Sequence, residues 1–237
     1  MSGRVVGQVA ALWRYPVKSM GAEALNQADV SWQGLAGDRR WAFIRPDRVH
    51  SDFPWLTMRE RPDMVHYRPS FVDPDRPDAS PTVVRTPTGD QFDVADPALA
   101  AELGDAIRVI KQNRGVFDTM PLALLTTQTV AALGALVGDE LDVQRFRPNL
   151  LIDAPGDAEF PEDAWVGSVL RVGELRMRVD KRDQRCVIVN IDPTTTERDP
   201  AILRAIARER QACLGVYGSI VQPGRVAVGD PVLIEHG

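Results

Sequence analysis

Cysteine and histidine are scarce in this 237-residue chain. Two cysteines, Cys186 and Cys213, cannot build a disulfide framework. No charged-then-apolar leader opens the chain, so a reducing, cytoplasmic setting is expected. His50, His66 and His236 are scattered and never paired at ligand spacing, which argues against zinc or a di-metal histidine centre. Long apolar runs are missing too: none approaches the ~20 residues that span a bilayer, so no membrane span is expected. Excess positive charge is lacking. A formal charge of −5 argues against a nucleic-acid binder that lives on phosphate contacts, while leaving room for a local basic pocket. Neither an internal repeat nor a low-complexity tract is present.

What is there is a soluble globular composition, 44% hydrophobic and 26% charged, long enough for one large or two small domains. Up to about residue 114 the chain is rich in short strands and turns, which points to a barrel or sandwich. Strands are expected over 5–13, 28–32, 41–44 and 107–111, and a strand-like run over 64–72. A hairpin is expected from 82–85 to 91–94 across Thr88-Gly89-Asp90, and a short helix over 97–103. Residues 73–81 hold three prolines and three aspartates and read as an exposed loop. Near residue 115 the texture shifts. Thr126 and Thr127 can cap a helix with Val130, Leu133 and Val137 as its apolar stripe and Gly138 as its stop. A strand follows over 150–153. Residues 170–181 alternate cleanly around a Gly173-Glu174 break, with Leu175, Met177 and Val179 on one face. Asp199 as N-cap and Pro200 at the first helical position start another helix, and two strands close the chain over 214–221 and 232–235.

The chemistry centres on Lys181-Arg182-Asp183-Gln184-Arg185-Cys186, followed by Val187-Ile188-Val189, a β-branched run that reads as a buried strand. A thiol thus stands at a strand mouth beside cations. Cations favour thiolate, the form that binds soft metals or attacks electrophiles, while Asp180 and Asp183 oppose them. The bland alternative is a small, buried, inert thiol, and Cys213 is read that way. Three further loops at strand mouths carry anion-binding chemistry. Lys18 and Ser19 follow the first strand, with a solvated surface pair as the alternative. Arg39 and Arg40 follow two glycines, with exposed hairpin arginines as the alternative. Arg147 and Asn149 precede the strand at 150, one offering charge and the other a donor and an acceptor. Asp192 before Pro193 is either an acid near the thiol or turn chemistry.

Several separated motifs share an order with one family. They are Leu12-Trp13-Arg14-Tyr15-Pro16-Val17-Lys18-Ser19, Gly37-Asp38-Arg39-Arg40-Trp41, Thr57-Met58-Arg59-Glu60, Phe146-Arg147-Pro148-Asn149, Arg185-Cys186, Ile191-Asp192-Pro193 and Val228-Gly229-Asp230-Pro231-Val232. Over nearly its whole length the chain resembles the MOSC family, named for the C-terminal domain of molybdenum cofactor sulfurase. Within it, the likeness is to two-part members of the amidoxime-reducing kind. The resemblance implies a mainly β (α+β) fold: a MOSC β-barrel with peripheral helices over 115–237, preceded by a smaller β-rich domain over 1–114, with the cofactor between the two.

It also implies a molybdenum cofactor, a molybdopterin, with Cys186 as the thiolate on molybdenum. Lys18, Ser19 and Arg39 match positions that hold the pterin and its phosphate; Thr119, Arg147 and Asn149 match further contacts, and Arg185 stands beside the metal ligand. At Met120 the chain departs from the serine of the family pattern, which implies one polar contact fewer. The implied activity is reduction of small N-hydroxylated substrates. The chain lacks the cysteine spacing of a plant-type iron–sulfur cluster, so electrons are expected from a separate ferredoxin, flavoprotein or cytochrome b5-like protein. Pyridoxal phosphate is not expected. Two other readings stay open: a non-redox carrier of the cofactor or of persulfide sulfur on Cys186, and a scaffold of the same fold without a cofactor.

Overall fold

A computed structural model describes residues 3–235; His236 lies outside the described residues. The fold is mainly β, with three α-helices among the described residues. Seven strands form a closed barrel, labelled here in chain order: β1 Gly3–Arg14, β2 Leu122–Thr126, β3 Leu150–Asp153, β4 Val169–Val172, β5 Leu175–Gln184, β6 Cys213–Gln222 and β7 Pro231–Glu235. Around the barrel the order is β3-β2-β6-β5-β4-β7-β1, and β1 closes the ring on β3 through Gln8 opposite Asp153 and Leu12 opposite Leu150.

Six of these seven pairings are antiparallel; β2 and β3 run parallel, with Leu124 opposite Leu150. A parallel pair needs a crossover. Here the helix Thr127–Val137 supplies part of it. The Thr126 side chain accepts from the Thr129 amide at its start, and left-handed Gly138 ends it, as its sequence requires. The barrel interior holds Val9, Leu12, Leu122, Leu124, Leu150, Leu170, Leu175, Met177, Val179 and Val216, each almost wholly buried. Full burial of one such side chain is worth about 2 kcal/mol.

The chain forms two compact units. One contains the barrel and gathers residues up to Trp13, Ala24–Leu35 and Thr119 onward; the other gathers Arg14–Glu23 and Ala36–Asp118. The second unit has its own core of Val17, Met20, Phe43, Met64, Tyr67, Val84, Val94 and Leu99. In it Trp41–Ile44 pairs antiparallel with Arg108–Lys111, and Arg68–Phe71, Thr82–Arg85 and Gln91–Asp93 form a three-stranded sheet. The helix Pro97–Leu103 packs there, capped by Asp96.

Two expectations need correction. Residues 64–72 are not one strand: Pro62–His66 is a 3₁₀ turn and only Arg68–Phe71 is extended. Pro62 presets the first turn and takes away a ladder donor. Likewise Val187–Asn190 is a 3₁₀ turn, not a buried strand. The basic stretch before it is the end of β5, which reaches Gln184 opposite Cys213. Beyond that pairing the apolar run turns under the helix Pro200–Arg210: Val189 packs with Ile202 and Ile206 while Val187 stays exposed. Tertiary packing has overridden β-propensity.

Candidate functional site

Cys186 sits where β5 gives way to the 3₁₀ turn, and its carbonyl accepts from the Val189 amide at 3.2 Å. It is half-buried and forms no disulfide, and the same holds for Cys213 at the start of β6. Irregularities of register fall between Val179 and Lys181 and again between Arg182 and Gln184. Such bulges re-aim side chains. The alternation of β5 therefore breaks after Val179: Lys181 is exposed and Asp183 is buried.

Arg185 is fixed on every side. Its Nε donates to the Leu214 carbonyl and its Nη1 to the Phe146 carbonyl, both at 2.8 Å. Nη2 lies 2.9 Å from the Asp183 carboxylate. Gly215, which has φ +74°, lets the backbone come close: a Cβ there would meet Leu124 O at 2.8 Å and Arg185 Nη2 at 3.3 Å. Through Phe146, Arg185 joins the thiol loop to the loop that carries Arg147 and Asn149. Asn149 is buried, accepting from the Ala123 amide and donating to the Trp13 carbonyl, both at 3.2 Å. It knits β1, β2 and the start of β3. Arg147 holds a left-handed backbone, φ +52°. Thr119 lies exposed at a bend before β2 and shares no hydrogen bond with these loops among the described residues.

Asp192 does turn chemistry: its carboxylate accepts from the Thr194 and Thr195 amides. It also pairs with the buried Arg145, a residue the sequence reading passed over. Burial pushes the Asp192 carboxyl up, but the two amides and the Arg145 charge outweigh it and hold the group below the usual range.

In the other unit the two remaining loops interlock. The Lys18 amide donates to the Trp41 carbonyl, Trp41 to Pro16, and Arg39 to Tyr15. Asp38 is fully buried; it accepts from the Tyr15 amide at 2.7 Å and pairs with Arg39, whose guanidinium lies over the Tyr15 ring. Lys18 and Ser19 are each only 6% exposed, so they are not a solvated surface pair, and Arg40 is buried as well. Lys18 Nζ donates to the Val116 carbonyl at 3.2 Å and pairs with Asp118.

Among the described residues seven non-glycine positions have positive φ, and three of them are Ser19 (+68°), Arg39 (+49°) and Arg147 (+52°). A left-handed backbone costs such residues roughly 1–2 kcal/mol and clusters at functional sites. Arg59 lies in the same unit as Ser19 and Arg39 and was passed over: its guanidinium lies 5.1 Å from the Phe53 ring, and its charge acts on Asp118. The Thr57-Met58-Arg59-Glu60 motif was the available signal.

As donors, the Cys186 sulfur of one unit suits a soft metal, and the buried Lys18 and left-handed Arg39 of the other suit a phosphate. Each unit taken by itself thus carries chemistry that fits one part of a phosphorylated dithiolene cofactor.

Comparison with known proteins gives the family and the fold. Residues 111–233 match the MOSC domain, and residues 6–109 match the MOSC N-terminal beta barrel domain. The chain is 24% identical to human mitochondrial amidoxime-reducing component 1, over 97% of this chain and 83% of that protein. It is 22% identical to mitochondrial amidoxime reducing component 2 of Bos taurus, over 96% and 83%. Molybdenum cofactor sulfurase of Drosophila grimshawi is 27% identical over 96% of this chain and 34% of its own length. The crystal structure of the YUAD protein from Bacillus subtilis shares the fold, with a TM-score of 0.54, 11% identity, and 98% and 97% coverage. No helix among the described residues is long and apolar enough to cross a membrane.

Proposed function

The chain belongs to the MOSC domain family, and from that premise we propose that it is a molybdenum-cofactor-binding reductase of N-hydroxylated compounds that takes electrons from a separate protein. One observation carries the reading furthest. Ser19, Arg39 and Arg147, which the family resemblance gives to the cofactor, keep a left-handed backbone that nothing in their own side-chain chemistry favours. The two-part build and the named amidoxime-reducing relatives supply the substrate class.

When bound, the cofactor supplies two-electron redox chemistry at its metal. The chain's own residues do the rest. Cys186 would present one thiolate from a loop that Arg185 immobilises through Asp183, Leu214 and Phe146. Arg185 is spent on that grip and is a positioning residue. Asn149 likewise positions Arg147 by anchoring its loop to β1 and β2. Lys18, Ser19 and Arg39 would hold the phosphate, with Asp38 fixing the Arg39 fork.

The test is reduction of benzamidoxime by the loaded protein with a competent electron donor. The expected result is turnover in the wild type and its loss in Cys186→Ala. Equal rates in the two proteins would contradict the proposal.

A further inference from the structure

Arg68 of the strand Arg68–Phe71 and Arg85 of the strand Thr82–Arg85 are register partners across an antiparallel pair. Residues directly opposite each other project from the same face, with Cβ atoms about 5 Å apart, and like charges placed there repel. Both arginines are exposed. Arg68 Nη1 donates to the Val65 carbonyl at 3.2 Å, and neither guanidinium pairs with an acid among the described residues. Together with His66 and the turn 86–89 the two arginines line a cavity of about 500 Å³, and no carboxylate is among the lining residues.

The turn is internally satisfied. The Gly89 amide donates to the Thr86 carbonyl at 3.0 Å and the Asp90 amide to Thr86 Oγ1 at 3.1 Å. The Thr88 hydroxyl donates to the Asp90 carboxylate at 2.8 Å, so the 2.8 Å contact between the two threonine hydroxyls is a donation from Thr86 to Thr88. Both hydroxyl protons are thus used inside the turn, which holds one wall of the cavity. The donors turned to the cavity are those of the guanidinium forks.

We propose that this cavity binds a phosphate dianion between Arg68 and Arg85, either the free ion or the head of a small phosphomonoester. Two planar forks offer paired N–H donors to phosphate oxygens. An anion seated between them turns one like-charge contact into two attractive ones. The volume is in the range that takes a small organic ligand, so the cavity has room for a group esterified to the phosphate. None of these residues belongs to the loops of Lys18 and Arg39, and the proposal stands whether or not the chain carries a molybdenum cofactor.

The experiment is a titration followed by nuclear magnetic resonance at pH 8 and low salt. Phenyl phosphate, inorganic phosphate and phenyl sulfate are each added to wild type, Arg85→Gln and Arg85→Glu. Affinity is read from the Gly89 amide shift, a local signal that a phosphate held at other loops does not move. The dianions should bind wild type about tenfold tighter than the sulfate monoanion, and Arg85→Gln should weaken them about tenfold or more. Arg85→Glu sets an acid opposite Arg68, so it should melt at or above the wild-type temperature while binding none of the three. Tighter binding of phenyl phosphate than of inorganic phosphate assigns the site to a monoester; equal binding assigns it to the free ion. Undiminished binding in the Arg85 variants overturns the proposal. So does equal affinity for phosphate and sulfate, or a Gly89 amide that no ligand moves in the wild type.

Discussion

The guanidinium of Arg185 and the carboxylate of Asp183 face each other at 2.9 Å with almost no solvent between them: their side chains are 8% and 2% exposed. The cation next to Cys186 is therefore matched by an anion two residues before it, and its three grips hold the loop rather than the thiol's charge. Breaking one side of a buried pair leaves the other uncompensated. Asp183→Ala should destabilise the protein by about 3 kcal/mol, read as a lower denaturant midpoint with unchanged slope. A change under about 0.5 kcal/mol, typical of a surface site, would mean that Arg185 is held by its carbonyl partners alone.

Asn149 offers a second test of loop positioning. Its side chain satisfies one amide and one carbonyl on two other strands. Asn149→Ala should cost about 2–4 kcal/mol because two buried backbone groups lose their partners. Asn149→Asp should be destabilising too, since a carboxylate cannot donate to the Trp13 carbonyl.

Much of this was legible beforehand and some was not. The helix starts at Thr126 and Asp199 and the alternation of β5 up to Val179 follow local rules that tertiary packing did not disturb. The strand β2 left no such trace. All five of its residues are buried, so it shows no two-residue alternation, and it reads as an approach to the helix that follows. The turn at Val187–Asn190 was misread because the packing of Val189 under Ile202 and Ile206 depends on a helix that starts ten residues later. Lys18 and Ser19 looked like surface residues for a similar reason. Their burial comes from the Arg39–Trp41 segment and from Val116, which is distant in sequence.

Glu162 predicts a pH dependence. It is fully buried, and Thr126 and Thr129 hydroxyls donate to one of its oxygens at 2.7 Å. Burial pushes its carboxyl above the ordinary value despite those bonds. A group whose acid form is favoured in the folded state destabilises the protein when ionised. The Glu162 contribution should therefore improve as pH falls through its raised folded pKa and level off below about 4. Glu162→Gln should melt higher than wild type at pH 7, and the difference should shrink on acidification. A lower melting temperature for the variant at pH 7 would show that the ionised carboxylate is favourable there.

Arg147→Gly separates fold from function. Glycine accepts a φ of +52° without strain, so stability should stay within about 1 kcal/mol of wild type although a long side chain is lost. Cofactor retention should fall sharply in the same protein, measured as molybdenum per chain after gel filtration. Full retention would remove Arg147 from the cofactor contacts.

The central claim is that Cys186 is the chain's own ligand to a molybdenum centre. The direct measurement is molybdenum content by inductively coupled plasma mass spectrometry, on wild type and Cys186→Ser made in a host that synthesises the cofactor. The account predicts near-stoichiometric molybdenum in the wild type and a changed metal content or metal spectrum in the variant. Absence of molybdenum from the wild type, with the cofactor present in the host, would contradict it.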